Sequence, residues 1–298
     1  MNSLKESRAR HALKMLGLSL ALIAVTSCNK NSLSPEEQAV LNEDVAASVV
    51  SAAGEENGGA LDQIGDLVDA ATTSGPSRVA SLSAAFASSP GAIANATANY
   101  DSVNQRWVIE ISRERMSADG KFYAMIERTY YLQYRNSADQ PQIGWLVGSD
   151  TAYSIKFDIV DGSGRHYSPR LSQALTHLAA SWISTGVNTD TTVINGTYTR
   201  SAVDTIKTRR AVRTLDHTIT MTFTDLKGPR GSRLNLAAKV SGTVTGNYQA
   251  EISFTSGNAY AERSVNRDFT ITLGNGNGSV NLGGITVGWD VKSGDLDV

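Results

Sequence analysis

Few residues in this chain have the type and spacing that a chemical site requires. There is one cysteine, Cys28, and there are four histidines. No two of His166, His177 and His217 have the i, i+2 or i, i+4 spacing that lets neighbouring imidazoles bind one metal ion. We interpret these three as isolated surface or turn residues. The sequence therefore predicts no catalytic residue, no metal site and no cofactor, and Cys28 is the position with the clearest chemistry.

Cys28 follows a basic start and a short apolar run. Residues 15–25 (MLGLSLALIAV) are apolar, and they are preceded by four basic side chains: Lys5, Arg8, Arg10 and Lys14. The run is about half of the roughly 20 residues that cross a bilayer as a helix, and this order is typical of a secretory signal. The ending Val25-Thr26-Ser27-Cys28 resembles the lipobox of bacterial lipoproteins. The resemblance implies cleavage before Cys28, acylation of its sulfur and of the new amino terminus, and a membrane anchor.

The lipoprotein resemblance covers the first 28 residues and implies a place in the bacterial cell envelope. Asn29 follows the cysteine where many inner-membrane lipoproteins have aspartate, which favours the outer membrane and leaves open which face the protein occupies. We predict four segments along the chain: a signal peptide at 1–27, a tether at 28–33, a helical and loop region at 34–99, and an antiparallel β domain at 100–298.

The region after the tether has the pattern of two helices. Ser34 is a good N-cap, Pro35 suits the first helical position, and Glu37 completes a capping box, so a helix is predicted over 34–53. A second amphipathic helix is predicted over about 60–71, and residues 72–99 are predicted to be mainly loop.

From about residue 100 the hydrophobic period changes from 3.6 to 2, which is typical of half-buried strands. Residues 238–255 alternate throughout, as one long strand that bends at its glycines or as a hairpin with a three-residue loop; we prefer the long strand, paired with about 210–226. Residues 171–186 are ambiguous between helix and strand, and we favour strand. The sequence therefore predicts a mainly β protein with a long-stranded antiparallel sheet, either a sandwich or an open half barrel, behind a short α-helical N-terminal region.

Glycine-containing segments are interpreted as breaks between these strands. Asp161-Gly162-Ser163-Gly164 is predicted to be a turn, and residues 274–278 are predicted to form a loop. Gly283-Gly284 separates two runs of opposite parity and is predicted to be a β-bulge.

Aromatic side chains are concentrated in the strand predicted over 122–134 and in its neighbour. We consider them as a platform for a ligand or a carbohydrate, formed by Trp107, Phe122, Tyr130 and Tyr134. The alternative is a central strand that is packed on both faces, since cross-strand aromatic pairs stabilise sheets. The same hairpin carries four arginines that we interpret as a solvated face: Arg113, Arg115, Arg128 and Arg135.

Charge and composition limit the function classes. The whole chain has a formal net charge of −2, and the predicted signal removes four basic residues and one acid, so nucleic acid is not an expected partner. The leading hypothesis is a lipid-anchored envelope protein with a non-catalytic binding or scaffolding role toward an envelope protein, a glycan or a lipid. One alternative is a carrier of lipid or of a hydrophobic ligand, similar to the half-barrel lipoproteins of the periplasm. A second alternative is a carbohydrate-active hydrolase.

Overall fold

A computed structural model describes seven parts of the chain: residues 35–71, 93–169, 171–207, 211–230, 233, 236–256 and 259–297. The predicted signal peptide, Cys28 and the tether lie outside the described residues, as does most of the predicted loop after the second helix. The chain divides into two compact units, residues 1–39 and 40–298, and every contact given below lies within the second unit.

Both predicted N-terminal helices are present. Helix α1 spans Pro35–Ala53 and α2 spans Ala60–Ala70, and a short α3 spans Leu236–Lys239. In α2 the apolar positions recur at three and four residues, so they form one stripe that is almost completely buried. None of the helices within the described residues has the length and apolar character needed to cross a membrane.

The rest of the described chain is mainly strand. The strands are β1 Ile93–Asp101, β2 Arg106–Met116, β3 Tyr123–Arg135, β4 Pro141–Gln142, β5 Leu146–Val147, β6 Asp150–Thr151, β7 Ser154–Tyr167, β8 Leu171–Thr185, β9 Thr191–Lys207, β10 Val212–Pro229, β11 Ser241–Ser256, β12 Ala259–Gly274, β13 Asn277–Leu282 and β14 Ile285–Asp290. The ambiguous segment 171–186 is thus a strand, as favoured. The first strand begins at Ile93, inside the region that was predicted to be loop.

One antiparallel sheet contains all of these strands except the small β5–β6 pair. Its order is β1-β2-β3-β7-β8-β9-β10-β11-β12-β13-β14, with β4 added beside β3. Each long strand pairs with the one before it along this path, so the topology is a meander. The two end strands do not pair with each other within the described residues, so the sheet is open. The prediction of a mainly β, antiparallel, long-stranded fold is confirmed, and the single sheet corresponds to its open alternative.

The sheet curls strongly around the connection between α1 and α2. Arg128 of β3 donates to the carbonyl of Gly58 at 3.4 Å, while the amide of Glu56 donates to the carbonyl of Lys292, just after β14, at 2.8 Å. Eight strand-to-strand steps separate β3 from β14, which would be about 38 Å in a flat sheet at about 4.8 Å a step. Glu56 and Gly58 are two positions apart, and between them they contact β3 and Lys292, just after β14. The sheet therefore bends around the helices.

Strand periodicity agrees with the burial of side chains. In β10, Ile219, Met221 and Phe223 are buried while the intervening threonines are exposed. The long strand predicted over 238–255 is confirmed from Ser241 onward, and it pairs with β10 as expected. The residues before it, 236–239, form α3 instead.

Two glycine segments were predicted wrongly. The expected turn at Asp161–Gly164 is continuous strand within β7, and a register shift against β3 inserts one extra residue just before it. Gly162 is needed for space, because a Cβ there would lie 2.9 Å from Cδ of Arg128. The expected bulge at Gly283-Gly284 is the two-residue turn between β13 and β14, and both glycines have positive φ, at 59° and 96°.

The loop expected at residues 274–278 is shorter than predicted. Asn275 and Gly276 alone connect β12 to β13, with φ of 55° and 80°. Positive φ at both central residues is what a tight hairpin turn requires, and Asn-Gly is the pair that adopts it most readily.

Candidate functional site

Four buried charged side chains tie α2 to the rest of the protein, and we call them the arginine–aspartate cluster: Asp62 and Asp66 on α2, Arg113 on β2, and Arg233 before α3. The two carboxylates are four residues apart, so they share one face of α2. Arg233 Nη1 donates to Asp66 Oδ1 at 2.7 Å, and its Nη2 donates to Asp62 Oδ1 at 2.5 Å. Arg113 also donates to Asp66 and lies 3.4 Å from Asp62 Oδ2. The cluster therefore pairs two charges of each sign.

Protonation in this cluster follows from burial and from the paired charges. Burial by itself would raise the pKa of Asp62, but the guanidinium groups of Arg113 and Arg233 outweigh it and hold that pKa below its usual value. Burial raises the pKa of Tyr130 well above the usual value, so its hydroxyl remains a donor, and it bonds Asp66 Oδ2 at 2.8 Å. These groups bind one another and stabilise the position of α2.

A second buried group ties α1 to the sheet, and we call it the Asp204 cluster: Ser48, Gln173, Asp204 and His217. Ser48 Oγ on α1 donates to Asp204 Oδ2 at 2.6 Å, and Gln173 Nε2 donates to Asp204 Oδ1 at 2.7 Å. His217 Nε2 lies 3.0 Å from Asp204 Oδ2. Burial would raise the pKa of Asp204, but His217 and the two hydrogen bonds lower it overall. Both oxygens of this buried carboxylate are therefore in use.

The Asp204 cluster brings together a serine, a histidine and an aspartate in the wrong order for a catalytic triad. In a triad the imidazole lies between the serine and the carboxylate and takes the hydroxyl proton. Here Ser48 donates directly to Asp204, on the same oxygen that His217 approaches. Ser48 and Asp204 are 0 % exposed, so no substrate reaches them in this structure. The arrangement fastens a helix to a sheet and has no activated nucleophile.

Glu55, in the connection between α1 and α2, has a perturbed carboxyl group. Burial raises its pKa from 4.5 to about 7, partly opposed by the charges of Arg233 and Arg115. The folded protein therefore binds a proton at Glu55 more tightly than the unfolded chain does. Stability from this proton is complete below about pH 4.5 and is lost as the pH rises toward 7.

We expect Glu55→Gln to remove this pH dependence. The variant keeps an uncharged side chain at all pH values, so its free energy of unfolding should exceed that of the wild type by an amount that grows with pH. Between pH 5 and pH 8 we expect that difference to increase by on the order of 2 kcal/mol. Urea unfolding of both proteins at each pH unit measures it, because contributions from other groups cancel in the difference.

The matched control is Glu56→Gln, whose side chain forms an exposed ion pair with Lys292 at 3.2 Å. Its difference from the wild type should stay within about 0.5 kcal/mol over the same range. A flat difference for Glu55→Gln would contradict the assigned protonation.

The four residues considered as an aromatic platform are mostly inside the protein. Trp107, Tyr130 and Tyr134 are at most 2 % exposed, and Phe122 is half-buried with its ring 5.2 Å from that of His166. Tyr134 donates to the carbonyl of Ala70 at 2.8 Å. Tyr130 and Tyr134 thus hold α2 on the sheet, and a ligand could stack on them only after the helix moved away.

Tyr130 also begins a row of buried aromatic rings that crosses five neighbouring strands. The row continues through Phe157 to Trp182, whose ring lies beside those of both Tyr198 and Phe223. The ring centroids of these pairs are between 4.7 and 6.2 Å apart. Such pairs stabilise packing beyond the area that they bury. The aromatic enrichment seen in the sequence therefore belongs to the core.

The interpretation of the four arginines as a solvated face has to be corrected. Arg113 and Arg128 are each 3 % exposed, and Arg115 lies 4.0 Å from Asp62 with most of its side chain covered. Arg135 is the most exposed of the four, with 26 % of its side chain accessible, and it pairs with Asp139 at 2.8 Å. Arg113 and Arg115 on β2 and Arg128 on β3 share the parity of the buried residues. The carboxylates of α2 pair with Arg113, and backbone carbonyls accept from Arg128.

The interpretation of the three histidines as surface or turn residues is wrong for two of them. His177 is exposed as expected, but His166 and His217 lie on the buried face of β7 and β10. Burial, together with the nearby charge of Arg200, lowers the pKa of His166 to about 4. Within the described residues, no three histidine, cysteine or acidic side chains are grouped so that they could hold a metal ion.

Two depressions on the surface of the described residues have charged linings. The larger, which we call the basic cleft, has a volume of about 720 Å³ and is lined by Asp190, Thr191, Lys227, Gly228, Pro229, Arg230, Lys239 and Ser241. The smaller is a shallow groove of about 380 Å³ on the outer face of β1, β2, β3 and β7, and its carboxylates are Glu110, Glu127 and Asp161. The basic cleft is the larger of the two, and its lining has a net positive charge, whereas that of the groove is net negative. We therefore take the basic cleft as the candidate site for an anion.

Comparison with models of protein families, with curated proteins and with solved structures finds no match to this chain. The chemistry of the basic cleft and of the two buried clusters therefore has to support any functional conclusion. Sequence reasoning missed all three. The one available signal for the cleft was the run of basic and small residues from Lys227 to Arg230, and the residues that complete it are distant in sequence.

Proposed function

We propose that this protein is a lipoprotein of the bacterial cell envelope, anchored through acyl chains on Cys28, with a non-catalytic binding or scaffolding role. The single observation that supports the binding role best is the filling of the curled sheet by α1 and α2. Both helices are fixed there by buried polar groups, so the surface left for recognition is the outer one, which includes the basic cleft.

The anchor is supported by the basic start, the short apolar run and the small residues before the cysteine. An acyl chain contributes about 0.8 kcal/mol of membrane affinity for each buried methylene, and more than one chain makes a durable anchor. A tether of several residues then separates the folded body from the bilayer surface.

We expect Cys28→Ala to move the protein from the membrane fraction to the soluble or uncleaved precursor fraction. Without a sulfur to acylate, the chain cannot receive the lipid that the lipobox specifies. Cell fractionation with a high-salt wash, together with metabolic labelling by an alkyne analogue of palmitate, measures both anchorage and acylation. Ser32→Ala in the tether is the control and should behave like the wild type. Acyl label on Cys28→Ala, or its retention in the washed membranes as a mature-size chain, would refute the anchor.

The carrier of lipid or hydrophobic ligand remains the second candidate, because the open curled sheet has a large buried face. A carrier needs an apolar cavity that its own side chains leave unfilled. In this fold the ligand would have to displace α1 or α2 and break the contacts of Asp62, Asp66 and Asp204. Native mass spectrometry of the acylated protein distinguishes the two functions, since a lipid mass beyond the covalent acyl groups would favour the carrier.

A further inference from the structure

We propose that the basic cleft binds a phosphate monoester group. This inference rests on the binding role proposed above and gives it a site and a chemical class. The cleft lies where the end of β10, the start of β9, and α3 come together at one end of the sheet.

The charges that line the cleft are the first argument. It has three cationic side chains, Lys227, Arg230 and Lys239, and one carboxylate, Asp190. The formal sum is about +2, which matches the charge of −1.5 to −2 that a phosphate monoester carries near pH 7. A ligand that carries a single carboxylate would leave much of this positive charge uncompensated.

The three cations are also not paired within the protein. In the described part of the chain none of Lys227, Arg230 and Lys239 forms an ion pair with a carboxylate. By contrast, Lys121 and Lys156 lie 3.0 and 3.4 Å from aspartate oxygens. Bringing three unpaired cations together is unfavourable by repulsion, and an anion between them would offset that repulsion.

Hydrogen-bonding groups of the right type accompany these charges. The hydroxyl groups of Thr191 and Ser241 line the same cleft, and Arg230 is half-buried with its guanidinium 4.9 Å from the ring of Trp145. An arginine held against a ring keeps its planar donors oriented, which suits the oxygens of a phosphate, while lysines act as mobile point charges.

The backbone that carries these side chains is firmly paired. Lys227 pairs with Ser241 of β11 and with Val193 of β9, and Gly228 and Pro229 are buried beside β9. A register shift just before Lys227, at Asp225 with φ of 51°, redirects the end of β10. The cleft is therefore built on the ends of paired strands.

The size of the cleft bears on the remainder of the ligand. Ligand pockets for small molecules have volumes of roughly 300–1,000 Å³. At about 720 Å³ the cleft is far larger than a phosphate ion, so it has room for the group that bears the phosphate. That group can belong to a soluble phosphate ester or to the headgroup of a membrane lipid.

Isothermal titration calorimetry tests the proposal on the full mature protein held in a nanodisc of phosphatidylcholine. The probes are glycerol 3-phosphate, dihexanoyl phosphatidic acid below its critical micelle concentration, and sodium acetate, all at equal ionic strength. The variants are Lys227→Met and Lys239→Met, and the control is Lys121→Met, which removes an exposed lysine outside the cleft. All three substituted side chains are exposed, so thermal unfolding of each variant should match the wild type.

We expect glycerol 3-phosphate to bind saturably with a Kd of about 1 mM or lower. Each cleft variant should weaken that binding by roughly tenfold, since each removes a charge-assisted contact, and Lys121→Met should leave it unchanged. Phosphatidic acid that binds about tenfold more tightly than glycerol 3-phosphate would support a lipid headgroup as the source, and equal affinities would support a soluble ester.

The proposal is overturned if neither phosphate probe binds saturably, if acetate binds as tightly, or if the cleft variants bind like the wild type. Failure of this proposal is distinguishable from failure of the anchor, because fractionation of Cys28→Ala tests membrane attachment without reference to the cleft. If the cleft fails the binding test and the anchor passes the fractionation test, the proposal of an envelope lipoprotein stands and only its assigned ligand is withdrawn.

Discussion

Asp66→Asn should lower the free energy of unfolding by about 3–5 kcal/mol. The wild-type carboxylate accepts hydrogen bonds from Arg113, Arg233 and Tyr130 in a site with no exposure to solvent. An asparagine keeps the shape but supplies no negative charge. The two buried guanidinium groups are then left with Asp62 as their close carboxylate and with Asp69, which lies 3.8 Å from Arg233. Since small proteins are stable by about 5–15 kcal/mol, this is a large fraction of the total.

Guanidinium chloride unfolding followed by circular dichroism measures this effect, and Asp139→Asn is the matched control. Asp139 also pairs with an arginine, Arg135, at 2.8 Å, but its side chain is 77 % exposed. Water screens that pair, so its loss should cost less than about 1 kcal/mol. Similar losses for both variants would show that the arginine–aspartate cluster does not hold α2 in place.

Asp204→Ala should be the next most destabilising change, by about 3 kcal/mol. It removes the acceptor for Ser48 and Gln173 and the carboxylate beside His217, all of which are buried. Because Ser48 lies on α1, the substitution should also loosen that helix selectively. Hydrogen exchange measured by mass spectrometry should therefore show faster exchange in α1 than in α2.

The matched control for this prediction is Asp158→Ala. Asp158 is likewise a strand aspartate that accepts from a serine, Ser181, at 2.6 Å, but at the surface. Its removal should cost less than about 1 kcal/mol and leave exchange in both helices unchanged. If α1 remained protected in Asp204→Ala, then its other contacts, which include apolar packing and the buried ion pair of Asp44 with Arg213, would hold the helix against the sheet.

These two clusters explain how a single sheet remains stable without closing. An open sheet exposes an apolar face that has to be covered. Here α1 and α2 cover it, and their polar residues form hydrogen bonds or ion pairs with residues of β2, β3, β9 and β10. Buried ion pairs contribute little to stability compared with apolar contacts, but breaking one is costly. We therefore interpret the clusters as fixing which position the helices adopt.

Local patterns in the sequence determined most of the secondary structure. A period of 3.6 and a capping box located α1, and a period of 2 located the long strands, because side chains alternate regularly in each element. The glycine segments were less reliable. Gly162 gives space to Arg128 and Gly283-Gly284 forms a turn, and the same residue type serves both purposes.

By itself, the sequence determined the lipobox prediction, the two helices and the antiparallel β character of this protein, since each depends on residues close together in the chain. Only the tertiary structure decided which charged residues are buried and which surface is basic. Ser48 is 156 positions from Asp204, and Asp62 is 171 positions from Arg233. An arginine on a strand has the same local pattern whether it faces water or a helix. Its environment depends on a partner that folding brings from elsewhere in the chain.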